Sequence, residues 1–315
     1  MKKLLYSIFL IFIYITVAAQ QIPQVSHITY DNLRINPGSA GSMDMVCLTF
    51  LLRQQMLGFD GQPNNIIIDG EVPFKLGSTH HGAGISVFTD QIGFNSDLEI
   101  HLSYAFHFSV GDGTLGAGIR GGYLQKDLRD AEWITSSGRN ITGDRHIPPA
   151  GSSDGQTYNM GAGLFYRTED LYFGVSAMNL NSPEISYTNE VGEEVIYNLN
   201  RHYYVTAGYK LQLTNPAWEI QPAVLLKSDG ISTDLDLNVT CVYNKKVWGG
   251  VSYRTGEAVV GMIGLELLDG LKVGISYDAQ TTSLMKFPTY EILVNYCFKI
   301  GVEKSPEKYK SIRFL

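Results

Sequence analysis

After residue 19 the chain has no apolar run approaching the roughly 20 residues that a membrane-crossing helix needs, so a helical membrane protein is excluded. Charge is scarce, at 17% of residues against about 25% in an average soluble protein. The net charge is −7 and no basic stripe exists to meet phosphates, which excludes nucleic acid as a partner. There are three cysteines, Cys47, Cys241 and Cys297, none in CxxC spacing or near a histidine. An odd number cannot all pair internally, and all three lie in strand-like runs, so they read as small apolar fillers. Gly-x-Ser-x-Gly, HExxH and Ser/His/Asp spacings are missing, so no catalytic, cofactor-binding or metal-binding residue is assigned and no small-molecule substrate is expected. His80 and His81 are adjacent and would point to opposite faces of a strand. His101 and His107 share a face but sit about 20 Å apart, too far to share a metal.

What the chain has in abundance is glycine, 33 residues, and tyrosine, 19, a bias towards strands and tight turns. It begins with Lys2 and Lys3, an apolar stretch Leu4–Val17 and the small residues Ala18 and Ala19 before Gln20. That is the anatomy of a secretory signal peptide over 1–19. From there the hydrophobic period is two. In Ile231–Asn244, Leu235, Leu237, Val239 and Cys241 alternate with Asp234, Asp236, Asn238 and Thr240. The same polarity recurs in 99–108, 203–213, 271–278 and 290–299. Strands of this length and alternation fit a single transmembrane antiparallel β-barrel of about 14 strands, apolar outside and polar inside. Aromatics near the ladder ends (Trp218, Tyr243, Tyr277, Tyr290, Phe298) suit interfacial girdles.

The strands are expected from 43–56 through 289–299, with short and long links tending to alternate. Short ones, such as 110–114, 168–170, 214–217, 244–246 and 268–270, would be periplasmic turns. The long ones, 126–156, 180–201 and 280–288, would be outer loops. The barrel then occupies 43–299, with 20–42 and the tail 300–315 both expected on the periplasmic face. Glu99, His101, Arg120, Lys210, Asp234, Asp236 and Lys272 are expected to face a solvated lumen. "GDGTLGAG" (111–118) lacks the following helix of a phosphate loop and reads as a turn plus a strand. Its small residues would let lumen contents approach closely.

"QQIPQVSHITYDNLRINPGSAG" after the leader resembles the start of the PorP/SprF family of type IX secretion membrane proteins, through Tyr30, Asn36, Pro37, Ala40 and Gly41. Gly38 stands where the family usually has alanine. "LLRQQMLGFDGQP" is similar to a second family phrase through Arg53, Gln55, Gly58, Gly61, Gln62 and Pro63. "GAGISVFTDQIG" resembles a third, and the closing Ser311, Arg313 and Phe314 resemble the family's usual end. The resemblance implies a non-enzymatic outer-membrane barrel, partnered by lipid, secretion components and secreted cargo such as large adhesins. It transfers no residue-level binding site. Two rivals stand beside it: a passive channel for small solutes through the polar lumen, and an outer-membrane hydrolase using Asp234 and Asp236 or His101.

Overall fold

The computed structural model describes residues 24–128, 155–188, 194–281 and 287–299. Every expected strand is present. They are β1 (Val46–Gln54), β2 (Asn64–Leu76), β3 (Thr79–Ile92), β4 (Asn95–Val110), β5 (Gly113–Leu128), β6 (Gly155–Arg167) and β7 (Leu171–Met178). After a two-stranded hairpin, β8 (Glu184–Thr188) and β9 (Glu194–Asn198), come β10 (His202–Tyr209), β11 (Leu211–Gln212) and β12 (Trp218–Ser228). The chain closes with β13 (Thr233–Tyr243), β14 (Val247–Arg254), β15 (Ala258–Leu268), β16 (Leu271–Gln280) and β17 (Thr289–Phe298). β10 and β11 both pair with β12 and form one strand interrupted at Lys210, while β1 pairs with β17. The sheet is therefore a closed antiparallel barrel of 14 strands, which leaves no unpaired edge.

The alternation read from the sequence decides which side chains turn outward. On β4, Ile100, Leu102, Tyr104, Phe106 and Phe108 are exposed while His101, Ser103, Ala105 and His107 are buried. All five girdle aromatics lie on the outside. Trp218 and Tyr243 touch at one end of the barrel (4.7 Å between centroids), and Tyr277 and Tyr290 at the other (5.3 Å). The end carrying the links 77–78, 111–112, 168–170, 244–246 and 269–270 is called the turn end. The opposite one, where 55–63, 179–188, 194–201 and 287–288 lie, is the loop end.

Two expectations fail in instructive ways. The cysteines are not all fillers: Cys47 on β1 and Cys297 on β17 form a disulfide, with a Cα–Cα separation of 4.1 Å. They are register partners in the seam that joins the first and last strands. Cys241 is free and exposed on the outer face. The second failure is the segment before the barrel, which does not lie on the turn-end face. Residues 24–45 run inside the barrel as a plug, with Val25, Ile28, Leu33, Ile35 and Ala40 all buried. These apolar residues find in the lumen the cover that a solvated arm would deny them. The plug consists of a 3₁₀ turn (Ile28–Tyr30), the short helix α1 (Asn32–Ile35) and a second 3₁₀ turn (Pro37–Ser39).

Candidate functional site, a plugged lumen and its vestibule

The plug begins at the loop end, where Gln24 Nε2 donates to Asp234 at 2.8 Å. Lys227 Nζ lies 3.8 Å from the same carboxylate. The next three residues are gripped by charges from four strands. Glu291 of β17 accepts from the backbone N–H groups of Ser26 and His27, both at 2.9 Å. It also meets His27 Nδ1 at 2.6 Å. Arg53 of β1 bridges Asp278 at 2.6 Å and Glu291 at 3.2 Å, and donates to Ser26 Oγ at 2.8 Å. Arg254 of β14 pairs with Asp236 and Asp278 and donates to the Val25 carbonyl at 3.2 Å. Arg53 and Arg254 are 2% and 0% exposed, so these charges depend on one another and on the plug for their solvation.

Midway, Asp31 and Arg34 form a bidentate pair within the plug. Burial raises the Asp31 carboxyl above its ordinary value, with Arg34 pulling the other way. The wall responds with donors to plug carbonyls. Arg120 donates to the Arg34 carbonyl and Ser176 to that of Ile35.

At the turn end the contact is steric. Gly38 lies against β5 and β6, so that a Cβ there would sit 2.8 Å from the Gly116 carbonyl oxygen and 2.9 Å from that of Gly163. From the other side, a Cβ on Gly82, Gly116 or Gly118 would fall on the backbone of Ala40, Gly38 or Pro37. Small residues thus carve a track in which plug backbone rides on wall backbone. Asn36 fixes the position: its amide donates to the Leu164 carbonyl at 3.0 Å and, at 3.4 Å, to that of Val175. Its Oδ1 caps Gly38 N–H at 2.9 Å. His107 Nε2 lies 2.7 Å from the Ala40 carbonyl. Gly116 and Gly118 of "GDGTLGAG" therefore serve close approach of lumen contents, as their size predicted, while Gly111 takes the positive φ of the turn.

All seven expected lumen residues belong to inward-facing positions of their strands, but they do not line one solvated channel. Glu99 lies beside His101 (3.5 Å), and His101 Nε2 is 3.1 Å from Asn159 Oδ1. Asp234, Asp236 and Arg120 serve the plug. Lys210 and Lys272 line a separate space, where Lys272 sits over the Tyr30 ring, 5.7 Å from its centroid. The family phrases also separate. Asn36, Pro37, Ala40 and Gly41 are the track contact and Arg53 the charge clamp. Gln55, Gly58 and Pro63 shape the loop after β1, where Gln55 N–H donates to the Pro63 carbonyl at 2.9 Å. Arg313 and Phe314 lie outside the described residues. Sequence reasoning missed Ser26, His27, Asp278 and Glu291 as a cluster, although alternation already turned the two acids inward.

Below the plug a cavity of about 770 Å³ extends to the turn end. Its lining includes the turn residues Thr168, Glu169, Asp170, Lys245 and Asp269, so its mouth opens there. The turn-end part of the plug, Pro37–Ser39, leans on β4 to β7, and the cavity is bounded largely by β12 to β17. At the opposite end Ile185 of β8 and Leu199 pack on the inward-facing Leu124. Among the described residues no cluster of metal-ligating side chains occurs.

A model of a protein family described as type IX secretion system membrane protein PorP/SprF matches residues 17–296. The chain belongs to that family. Among solved structures, this PorP/SprF member is similar to the Pseudomonas putida toluene transporter TodX. The TM-score is 0.50 with 10% identity, over 86% of this chain and 93% of that one. The Acinetobacter baumannii outer membrane protein Omp33 matches with a TM-score of 0.46 and 8% identity, over 81% of this chain and 99% of that one. At such identities the TodX likeness speaks for the fold alone, an outer-membrane barrel. No curated protein matches the PorP/SprF chain in sequence.

Proposed function

We propose that this PorP/SprF protein is a non-enzymatic scaffold of the type IX secretion apparatus that supports export or surface anchoring of a secreted cargo protein. The barrel anchors it in the outer membrane, reached by way of the leader 1–19, and its turn end faces the periplasm, as short turns do in bacterial barrels. The observation that carries this reading is the plug. Buried and half-buried residues from Gln24 to Gly41 occupy the lumen between the loop end and the vestibule, which suits a scaffold better than a passive channel for solutes. The inward carboxylates Asp234 and Asp236 are engaged by Gln24, Lys227, Ser252 and Arg254, which supports a structural role for them rather than a hydrolytic one. Partners meet the turn-end face, formed by the vestibule rim and the tail 300–315. Affinity purification from outer membranes tests this: the intact chain should bring down secretion components or cargo, and a chain ending at Lys299 should not. Equal recovery with the two chains would sink the proposal.

A further inference from the structure

The closed sheet contains one pair of neighbouring strands that no connection joins. Each barrel strand is followed in the chain by the neighbour it pairs with, so a link holds every other pair at one end. The exception is the seam between β1 and β17, whose strands come from opposite ends of the barrel sequence. Pairing over that separation carries the largest loop-closure cost in the sheet, and no link keeps the two strands near each other once they part. Parting there would turn two unpaired edges towards lipid.

The inward side chains fasten this seam along its length. Taken from the turn end to the loop end, successive inward register pairs each make a different contact. Cys47 and Cys297 share the disulfide. Asn295 Nδ2 donates to Thr49 Oγ1 at 2.9 Å. Leu51 and Leu293 are buried in one apolar cluster, and Arg53 pairs with Glu291 at 3.2 Å. The backbone suits the covalent member. Cys297 N–H donates to the Gly270 carbonyl at 2.9 Å, so its polar groups turn towards β16 rather than β1. Cys47 and Cys297 are therefore a non-hydrogen-bonded pair, the kind in which facing residues come closest. Both cysteines also line the vestibule, whose mouth opens at the turn end.

We propose that the Cys47–Cys297 bond is a lock on the barrel wall. Set once β17 has paired with β1, it makes the sheet a covalently closed ring and stops the two strands from parting as a lateral gate between lumen and lipid. Setting it takes thiol–disulfide exchange with a disulfide donor that reaches the pair from the turn end. The two thiols give up two protons and two electrons as their S–S bond forms, and the donor's S–S bond breaks to leave a dithiol. This goes beyond the scaffold reading, because it concerns the wall and not the partner: no route through this protein runs sideways across the seam.

The test uses purified, folded protein in detergent, in a Cys241→Ala background so that no third thiol exchanges. Boiled without reductant, the chain should run faster on a denaturing gel than the same sample boiled with dithiothreitol, because the bond ties a loop across 250 residues. Equal mobility would mean two free thiols and would remove the lock. Amide hydrogen exchange then compares oxidised protein with protein reduced after folding. Reduction should speed exchange in β1 and β17 by about 10-fold or more and leave β4 and β5 unchanged. Unchanged exchange at the seam would mean that the noncovalent pairs suffice, and an equal rise in all strands would mean a general loss of stability. Either result overturns the proposal. Thr49→Cys with Asn295→Cys, in a chain also carrying Cys47→Ala and Cys297→Ala, moves the bond one inward pair along the seam. Once oxidised, that chain should return β1 and β17 to slow exchange, and fast exchange there beside protected β4 and β5 would also overturn the lock. No readout involves a partner, so the scaffold reading is judged separately by its own recovery experiment.

Discussion

At the loop end the plug is held by charge, with Glu291 and Arg254 gripping the backbone of Val25–His27 and Arg53 donating to the Ser26 hydroxyl. At the turn end it is held by shape, with Asn36–Gly41 lying on a track of wall glycines. The two grips fail differently. A charge cluster is satisfied or not, and removing one member strands the rest in a buried site. A glycine track tolerates no addition, because the neighbour is backbone on both sides and cannot swing away. The difference also explains where empty space remains. The shape grip draws the plug onto β4 to β7, and the vestibule opens along β12 to β17.

The largest expected effect comes from filling the track. In Gly82→Val a Cβ would occupy the place of the Ala40 carbonyl, and the partner is main chain. The cost should exceed the roughly 1–3 kcal/mol usual for overpacking a core, and the plug should leave its seat. In planar bilayers the variant should carry steady current where the unaltered protein carries none. A silent variant would mean that the track does not seat the plug. Next comes the charge grip. Arg53→Ala leaves Asp278 and Glu291 buried beside each other's field with one cation fewer, a loss of about 3–5 kcal/mol. Urea unfolding in detergent should show it. A double-mutant cycle with Asp278→Ala should give a coupling well above the few tenths of a kcal/mol expected of independent sites.

The barrel was legible in the sequence because lipid and lumen impose a strict period of two on every strand. Asp234 and Asp236, Glu99 and His101, and Glu291 and Asn295 all turn inward as the alternation required. The plug was not legible in the same way. Val25, Ile28, Leu33 and Ile35 are too few and too irregularly spaced to declare a face, and their burial depends on a lumen that exists only after strands far apart in sequence have closed. The disulfide escaped for the same reason. Cys47 and Cys297 are 250 residues apart, and only the register of the first strand against the last brings them together. The Asn-Pro phrase marked the family, but its physical role needed Gly82, Gly116 and Gly163, which sit on three other strands.

The smallest effect should follow from Asn36→Ala, and it bears most directly on which grip holds the turn end. The substitution removes the amide bonds to the Leu164 and Val175 carbonyls and the cap on Gly38 N–H, while leaving the backbone on its track. Loss of a capping side chain costs about 0.5–2 kcal/mol, and the stranded carbonyls face a polar lumen that water can refill. The variant should therefore unfold at slightly lower urea and stay closed in bilayers. Had the polar bonds been what seats the plug, Asn36→Ala would open the barrel as fully as Gly82→Val. A current of equal size in the two variants would transfer the turn-end grip from shape to hydrogen bonding. A closed Asn36→Ala beside an open Gly82→Val assigns it to shape, because only the second change alters the space between plug and wall.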